Sequence, residues 1–178
     1  MNGRKTRKVR IMSTKCYVRA LAVSAFAVSL LPLASPVHAQ SSPLLPLSGK
    51  WAGAGTVALA SGTKERIRCR SNNQVDSGGT SVQLELRCAS DSYKFELRSY
   101  ITYSGGELKG TWDELSRNVG GQVMGRASGS QIQATAAGQT FTAILAMNTR
   151  GNTQSITIRS PGSELSEASI NLTRGGSN

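Results

Sequence analysis

The residues with types and spacing suited to chemistry are few. In LKGTWDEL, Leu108 to Leu115, alternation along an extended chain puts Trp112 and Glu114 on one side and Thr111 and Asp113 on the other. Were that side turned toward an apolar interior, the Glu114 carboxyl would be pushed toward its neutral form and could bind or protonate a ligand. The competing reading ends the strand near Asp113 and leaves Glu114 in a wet loop over Ser116 to Gly121, because an isolated buried carboxylate is costly. Arg66, Arg68 and Arg70 share a face, with Arg87 and Arg98 beside them. Such a ridge could dock an acidic partner or an anionic lipid head. It is equally the solvated outside of a sheet, balanced by Glu65, Glu85 and Glu96.

What is missing excludes more than what is present. The only histidine is His38, and beyond residue 39 the only cysteines are Cys69 and Cys88. Ser-His and Cys-His nucleophile pairs are therefore excluded from that part of the chain. Two cysteines without histidine make a poor zinc site, and no Gly-rich phosphate loop leads into a helix. No cofactor and no metal is expected, and with so few acid–base groups an enzyme is not expected either.

The first 39 residues read as a cleaved signal peptide. Leu21 to Leu33 is a 13-residue uncharged apolar run, preceded by Arg4, Lys5, Arg7, Lys8, Arg10, Lys15 and Arg19 and followed by Val37-His38-Ala39. Thirteen residues fall short of the roughly 20 that a membrane-crossing helix needs. Met12 is an alternative start. Of 21 Lys and Arg, seven lie in this leader with none of the ten Asp and Glu, so the other 139 residues carry 14 against 10 and a net +4 rather than +11. A charge of +4 spread along the chain does not call for nucleic acid. Nor do seven scattered aromatics form a base-stacking platform. The expected product is a periplasmic or secreted bacterial protein with no membrane span, monomeric, and large enough for one domain. Asn171-Leu172-Thr173 spells a glycosylation sequon, discounted because the leader looks bacterial.

Outside the cytoplasm, two cysteines with none left over predict one disulfide. Cys69 lies nine residues before Gly78 and Cys88 nine after Gly79. In the flanking runs, Ile67 and Cys69 alternate with Arg66, Arg68 and Arg70, while Val82, Leu84, Leu86 and Cys88 alternate with Gln83, Glu85 and Arg87. Reflection about the Gly-Gly pair sets both thiols on the apolar face of one hairpin. A strict two-residue turn would put them at a hydrogen-bonded pair, with Cα atoms about 5.5 Å apart. Direct cross-strand bridges favour the other kind of pair, so a bulge or a longer turn is predicted.

These elements fit one pattern. Gln40 to Leu47, with two prolines, reads as a flexible lead-in. Residues 48–174 form the domain and 175–178 a disordered tail. Within the domain, short alternating runs recur between Gly, Ser, Asn and Asp clusters, giving ten strands and no helical stripe. The predicted strands are Lys50–Leu59, Lys64–Val75, Thr80–Ala89, Tyr93–Tyr103, Leu108–Leu115, Gly121–Ala127, Gln131–Ala136, Thr140–Asn148, Thr153–Arg159 and Glu167–Arg174. Tight links make the order a meander, and closure into an up-and-down barrel removes the exposed edges. The fold class is all-β, an antiparallel meander closed into a barrel of 8 to 10 strands.

Gly49-Lys50-Trp51 opens the first strand and Arg174 ends the last. This resembles the calycin superfamily of lipocalins, fatty-acid-binding proteins and avidins, whose barrels begin with Gly-x-Trp. The resemblance implies that Trp51 plugs one barrel end and that Arg174 covers its indole by a cation–π contact. The order GxWxGxG from Gly49, then Cys69, CASDSY from Cys88 and GxWxE from Gly110 is also similar to small exported proteins of alphaproteobacteria. That similarity implies no activity.

Function then turns on the interior. Phe95, Leu97, Trp112, Glu114 and Phe141 are the candidate cavity residues, with small Gly53, Gly55, Ala134, Ala136 and Ala143 among the inward positions. The small residues either let a narrow barrel close tightly or leave a hollow. A hollow implies a non-enzymatic protein holding a small apolar ligand. A filled barrel implies binding to an exported protein, for example a protease inhibitor using residues 40–47 as its plug, or a structural role in the envelope.

Overall fold

The computed structural model describes residues 41–139 and 141–175. The leader 1–39 and the tail residues 176–178 lie outside the described residues. Ten strands follow one another: β1 Gly49–Leu59, β2 Lys64–Val75, β3 Ser81–Ala89, β4 Lys94–Ser104, β5 Glu107–Glu114, β6 Val119–Ser128, β7 Gln131–Gly138, β8 Thr142–Arg150, β9 Thr153–Arg159 and β10 Leu165–Arg174. Each pairs antiparallel with its predecessor, and β10 returns to β1 in a closed barrel. The closing seam sets Trp51 opposite Arg174 and Val57 opposite Ala168. Closure leaves no strand edge unpaired, the arrangement that protects a twisted sheet from pairing with other chains.

Alternation decides which residues face in. On β2, Ile67, Cys69, Ser71 and Asn73 are buried while Arg66, Arg68 and Arg70 are exposed. On β3, Val82, Leu86 and Cys88 are buried while Gln83, Glu85 and Arg87 are exposed. The arginines lie on the outer wall, where Arg87 meets Glu96 and Arg98 meets Glu85, each at 3.5 Å.

Cys69 and Cys88 are bonded, and their register is the one that symmetry about Gly78-Gly79 requires. The turn is longer than two residues. The Asp76 N–H donates to the Ser81 carbonyl at 3.2 Å, so the ladder starts there and four residues lie between. Counting back seven residues from Asp76 places Cys69 and Cys88 at a non-hydrogen-bonded pair, where Cα atoms normally sit about 4.5 Å apart. Here they are 4.1 Å apart.

The flexible lead-in requires correction for residues 41–47. Leu45–Leu47 form one 3₁₀ turn, with Pro46 where a missing N–H does no harm, and Leu44 and Leu47 are buried in the barrel end. The Leu47 carbonyl accepts the Trp51 indole N–H at 2.8 Å and the Asn73 side-chain amide at 3.0 Å. Arg174 lies 4.2 Å from the Trp51 ring centroid and donates to the carbonyls of Pro46, at 2.6 Å, and Ser48. With this end filled from within, the segment is not a free arm of the kind the inhibitor reading needs. Gly175, counted with the tail, donates its N–H to the Lys50 carbonyl at 2.8 Å.

Candidate functional site

The barrel is solid on one side and hollow on the other. Around β1, β2 and β10, Val57, Ile67, Cys69, Ala168, Ile170 and Leu172 are at most 1 % exposed. The close packing there depends on small inward residues. A Cβ on Gly53 would lie 2.0 Å from the Asn171 carbonyl oxygen, so only glycine lets β10 approach β1 this nearly. The walls from β3 to β9 enclose instead a cavity of about 460 Å³, within the range of small-molecule sites. Ala136 and Ala143, paired across β7 and β8, line it where larger side chains would fill it. The small inward positions thus do both things the sequence allowed, on opposite sides of one barrel.

Phe95, Leu97, Trp112, Glu114 and Phe141 all line this cavity. Trp112 is 4 % exposed and its ring centroid lies 5.4 Å from that of Phe141, tilted by 56°. Together they make an aromatic wall beside Val123 and Ala134. Phe95 stands 6.2 Å from Tyr93, nearer the mouth. The floor is the plug itself, Leu44 and Leu47. The cavity is apolar over most of its depth, and its charged residues gather at the end opposite the plug.

Glu114 is the last residue of β5 and shares the inner face with Trp112, yet its carboxyl behaves opposite to the expectation of a raised pKa. Burial works to raise it, but the backbone N–H groups of Glu96 (2.9 Å), Ser116 (3.1 Å) and Arg117 (2.8 Å) outweigh burial and hold it below the ordinary glutamate value. The chain turns back after β5 and aims successive amides at the carboxylate, which sequence alternation does not show. These donors favour the Glu114 carboxylate over its neutral form.

Its neighbour Arg117 was not among the sequence candidates. It lies 3.6 Å from Glu114 and donates from Nε and Nη2 to Glu164 at 3.2 and 2.9 Å. Nη1 donates to the Lys94 carbonyl at 3.2 Å, and the guanidinium sits 4.6 Å from the Tyr93 ring centroid. Burial pushes the Tyr93 phenol up, against the pull of Arg117. Three separate segments meet at this lip, Tyr93–Glu96, Glu114–Arg117 and the turn holding Glu164. The only sequence signal for it was a lone arginine in a turn, and its partner is 47 residues away.

Among the described residues no group of three His, Cys, Asp or Glu is placed to hold a metal, and no helix is long and apolar enough to cross a membrane.

Fold and cavity together define a calycin-like up-and-down barrel with ten strands. Solved structures share it, among them these two. A crystal structure of Rv2717c from M. tuberculosis matches with a TM-score of 0.57 at 14 % identity, covering 74 % of this chain and 94 % of that one. The S-type phycobiliprotein lyase CPES from Guillardia theta matches with a TM-score of 0.55 at 8 % identity, covering 76 % and 92 %. No protein-family model matches the chain, and no curated protein does. At these identities the likeness extends to the fold.

Proposed function

We propose that this is an exported, non-enzymatic binding protein that holds a small apolar ligand in its barrel. The carrying observation is the cavity of about 460 Å³, walled by Phe95, Leu97, Trp112 and Phe141, closed at one end by Leu44 and Leu47 and bounded at the other by the charged lip. Burying an apolar ligand there gains about 25 cal/mol per Å² of surface taken from water. Export is supported by the Cys69–Cys88 bond, which persists in oxidising compartments, and by the leader pattern. The neighbour named as a phycobiliprotein lyase lends a barrel of this kind a role in handling a ligand. At 8 % identity that likeness extends to the fold alone, and no reaction is carried over from it to this chain. The protein acts as a monomer, in the periplasm or outside the cell.

Native mass spectrometry of the protein purified from its own compartment tests this. A co-purifying small molecule, or a thermal shift with members of a lipid panel, is the expected result. Neither appearing would end the ligand reading.

A further inference from the structure

The outer wall divides as sharply as the interior does. On β2 the outward positions Lys64, Arg66, Arg68 and Arg70 are all exposed. Side chains on one face of a strand stand about 7 Å apart, so these four cations form a row about 20 Å long. Among the described residues none of the four meets a carboxylate. Glu65, on the other side of the strand, is taken by the hydroxyls of Ser90 and Ser92. Beside the row, β1 presents Ala52, Ala54 and Thr56 opposite Arg70, Arg68 and Arg66. Beyond them β10 presents Thr173, Asn171 and Ser169. Strands about 4.8 Å apart set the β10 side chains about 10 Å from the β2 row. The wall between is a trough with a floor of small residues, cations on one bank and hydroxyls and an amide on the other. At one end of it Arg70 stands directly opposite Arg87 of β3, a placement in which like charges repel. Those two arginines and Lys50 rim a concavity of about 320 Å³ over Ala52. The carboxylate there, Glu85, already meets Arg98 at 3.5 Å.

We propose that this trough is a binding surface for a linear acidic polysaccharide, its carboxylates against the β2 row and its hydroxyls against β10. None of these residues lines the cavity, so the surface is independent of the barrel ligand. Each guanidinium presents a fork that takes a carboxylate through paired N–H groups. One exposed contact of this kind contributes little, and affinity comes from several made at once along the same polymer. An anionic sugar seated in the concavity also relieves the repulsion between Arg70 and Arg87. Two other polyanions fit less well. A lipid surface is flat, whereas the wall of a closed barrel is convex across its strands. Among the described residues, β1, β2 and β10 also present no exposed large apolar side chain to enter a head-group layer. A nucleic acid strand binds on aromatic platforms, and no outward position of these three strands holds an aromatic residue. A polymer with hydroxyls between its carboxylates is the one that uses both banks.

The test is calorimetric titration of the purified protein at low salt and neutral pH. The probes are an oligogalacturonate long enough to span the row, its fully methyl-esterified form, and a polyglutamate of equal charge. The oligogalacturonate is expected to bind, and to weaken as salt is added. The ester, which keeps the sugars and loses the charge, is not expected to bind. Polyglutamate, which has no hydroxyls, is expected to bind severalfold more weakly. Arg68→Gln with Arg70→Gln should weaken the oligogalacturonate about tenfold. Arg126→Gln with Arg150→Gln removes the same net charge from β6 and β8 and should leave affinity within about twofold. All four arginines are exposed, so both double variants should keep the wild-type thermal midpoint. Asn171→Ala should weaken the oligogalacturonate and not polyglutamate. No binding of the oligogalacturonate, equal binding of its ester, or equal losses in the two double variants would each overturn the surface. Polyglutamate, phosphatidylglycerol vesicles or oligothymidylate binding as tightly as the oligogalacturonate would overturn its assignment to a polysaccharide. The cavity reading stands or falls separately, on the co-purifying ligand.

Discussion

The Leu47 carbonyl accepts the Trp51 indole N–H at 2.8 Å, four residues along the chain, and Arg174 closes over the same ring at 4.2 Å. The barrel end is sealed by the chain's own lead-in, locked between first and last strands. Trp51, Leu44 and Leu47 are all at most 3 % exposed. Replacing Leu47 by alanine should cost about 2–5 kcal/mol, the range for deleting buried leucine atoms. Arg174→Ala should cost less, about 1–2 kcal/mol, since it loses a cation–π contact and partly exposed hydrogen bonds. Urea unfolding of both variants checks the order. Arg174→Ala proving the more damaging would show that the clamp, and not the leucine filling, holds the plug.

The disulfide joins β2 of the solid side to β3, with neither cysteine lining the cavity although Cys88 pairs with Phe95, and it closes a loop with a sequence separation of 19. Loop-closure entropy puts its contribution at about 3 kcal/mol. The paired replacement Cys69→Ser and Cys88→Ser should lower the thermal midpoint markedly. Ligand affinity, measured well below the new midpoint, should be unchanged. An affinity loss at a temperature where the variant is fully folded would mean that the packed side shapes the cavity.

Much of the fold was legible because its signals are local. β2 and β9 span the residues that alternation alone assigned, Lys64–Val75 and Thr153–Arg159, since polar and apolar positions alternate there and turn residues bracket them. The sequence starts this strand at Gly121, since glycines there read as loop, whereas β6 begins at Val119. In the barrel Gly121 is a strand residue against which β7 presses: a Cβ there would lie 1.8 Å from the Ala137 carbonyl oxygen. The plug was missed because two prolines outweighed the apolar content of Leu44, Leu45 and Leu47. The lip was missed for a different reason. Arg117 and Glu164 sit in turns without alternation, and only the closing of the barrel brings them together. Trp112 and Phe141 could be assigned to one interior, but the division of that interior into solid and hollow halves depends on packing across the whole barrel.

Glu114 has a folded-state pKa below its ordinary value, so its contribution to stability is present above the ordinary glutamate value and is lost as pH falls through the lowered one. Arg117, Tyr93 and Glu164 surround it, and Arg117 remains charged throughout this range. Glu114→Gln, leaving backbone donors without full acceptors, should destabilise by about 1–3 kcal/mol at neutral pH. The difference from wild type should shrink as the medium is acidified below about pH 4, because the wild-type carboxyl then protonates too. Thermal midpoints of both proteins across pH 3 to 7 read this directly. A gap that stayed constant with pH would mean that the lost contacts do not depend on the carboxylate charge.

The hollow half of the barrel can be filled without touching the lip. Ala143 points inward from β8 opposite Ala136, and both line the cavity. A leucine at Ala143 would place its added atoms in empty space, so the free protein should keep its thermal midpoint or gain slightly from the new apolar contacts. The same atoms would stand where the ligand must lie, and crowding of that kind costs about 1–3 kcal/mol, a loss of affinity of about fivefold to 150-fold. Ala143→Leu is therefore expected to separate stability from binding: an unchanged or raised midpoint with at least about fivefold weaker uptake of the co-purifying ligand. Unchanged affinity in a stably folded Ala143→Leu protein would place the ligand outside the barrel, against the outer wall or the lip alone.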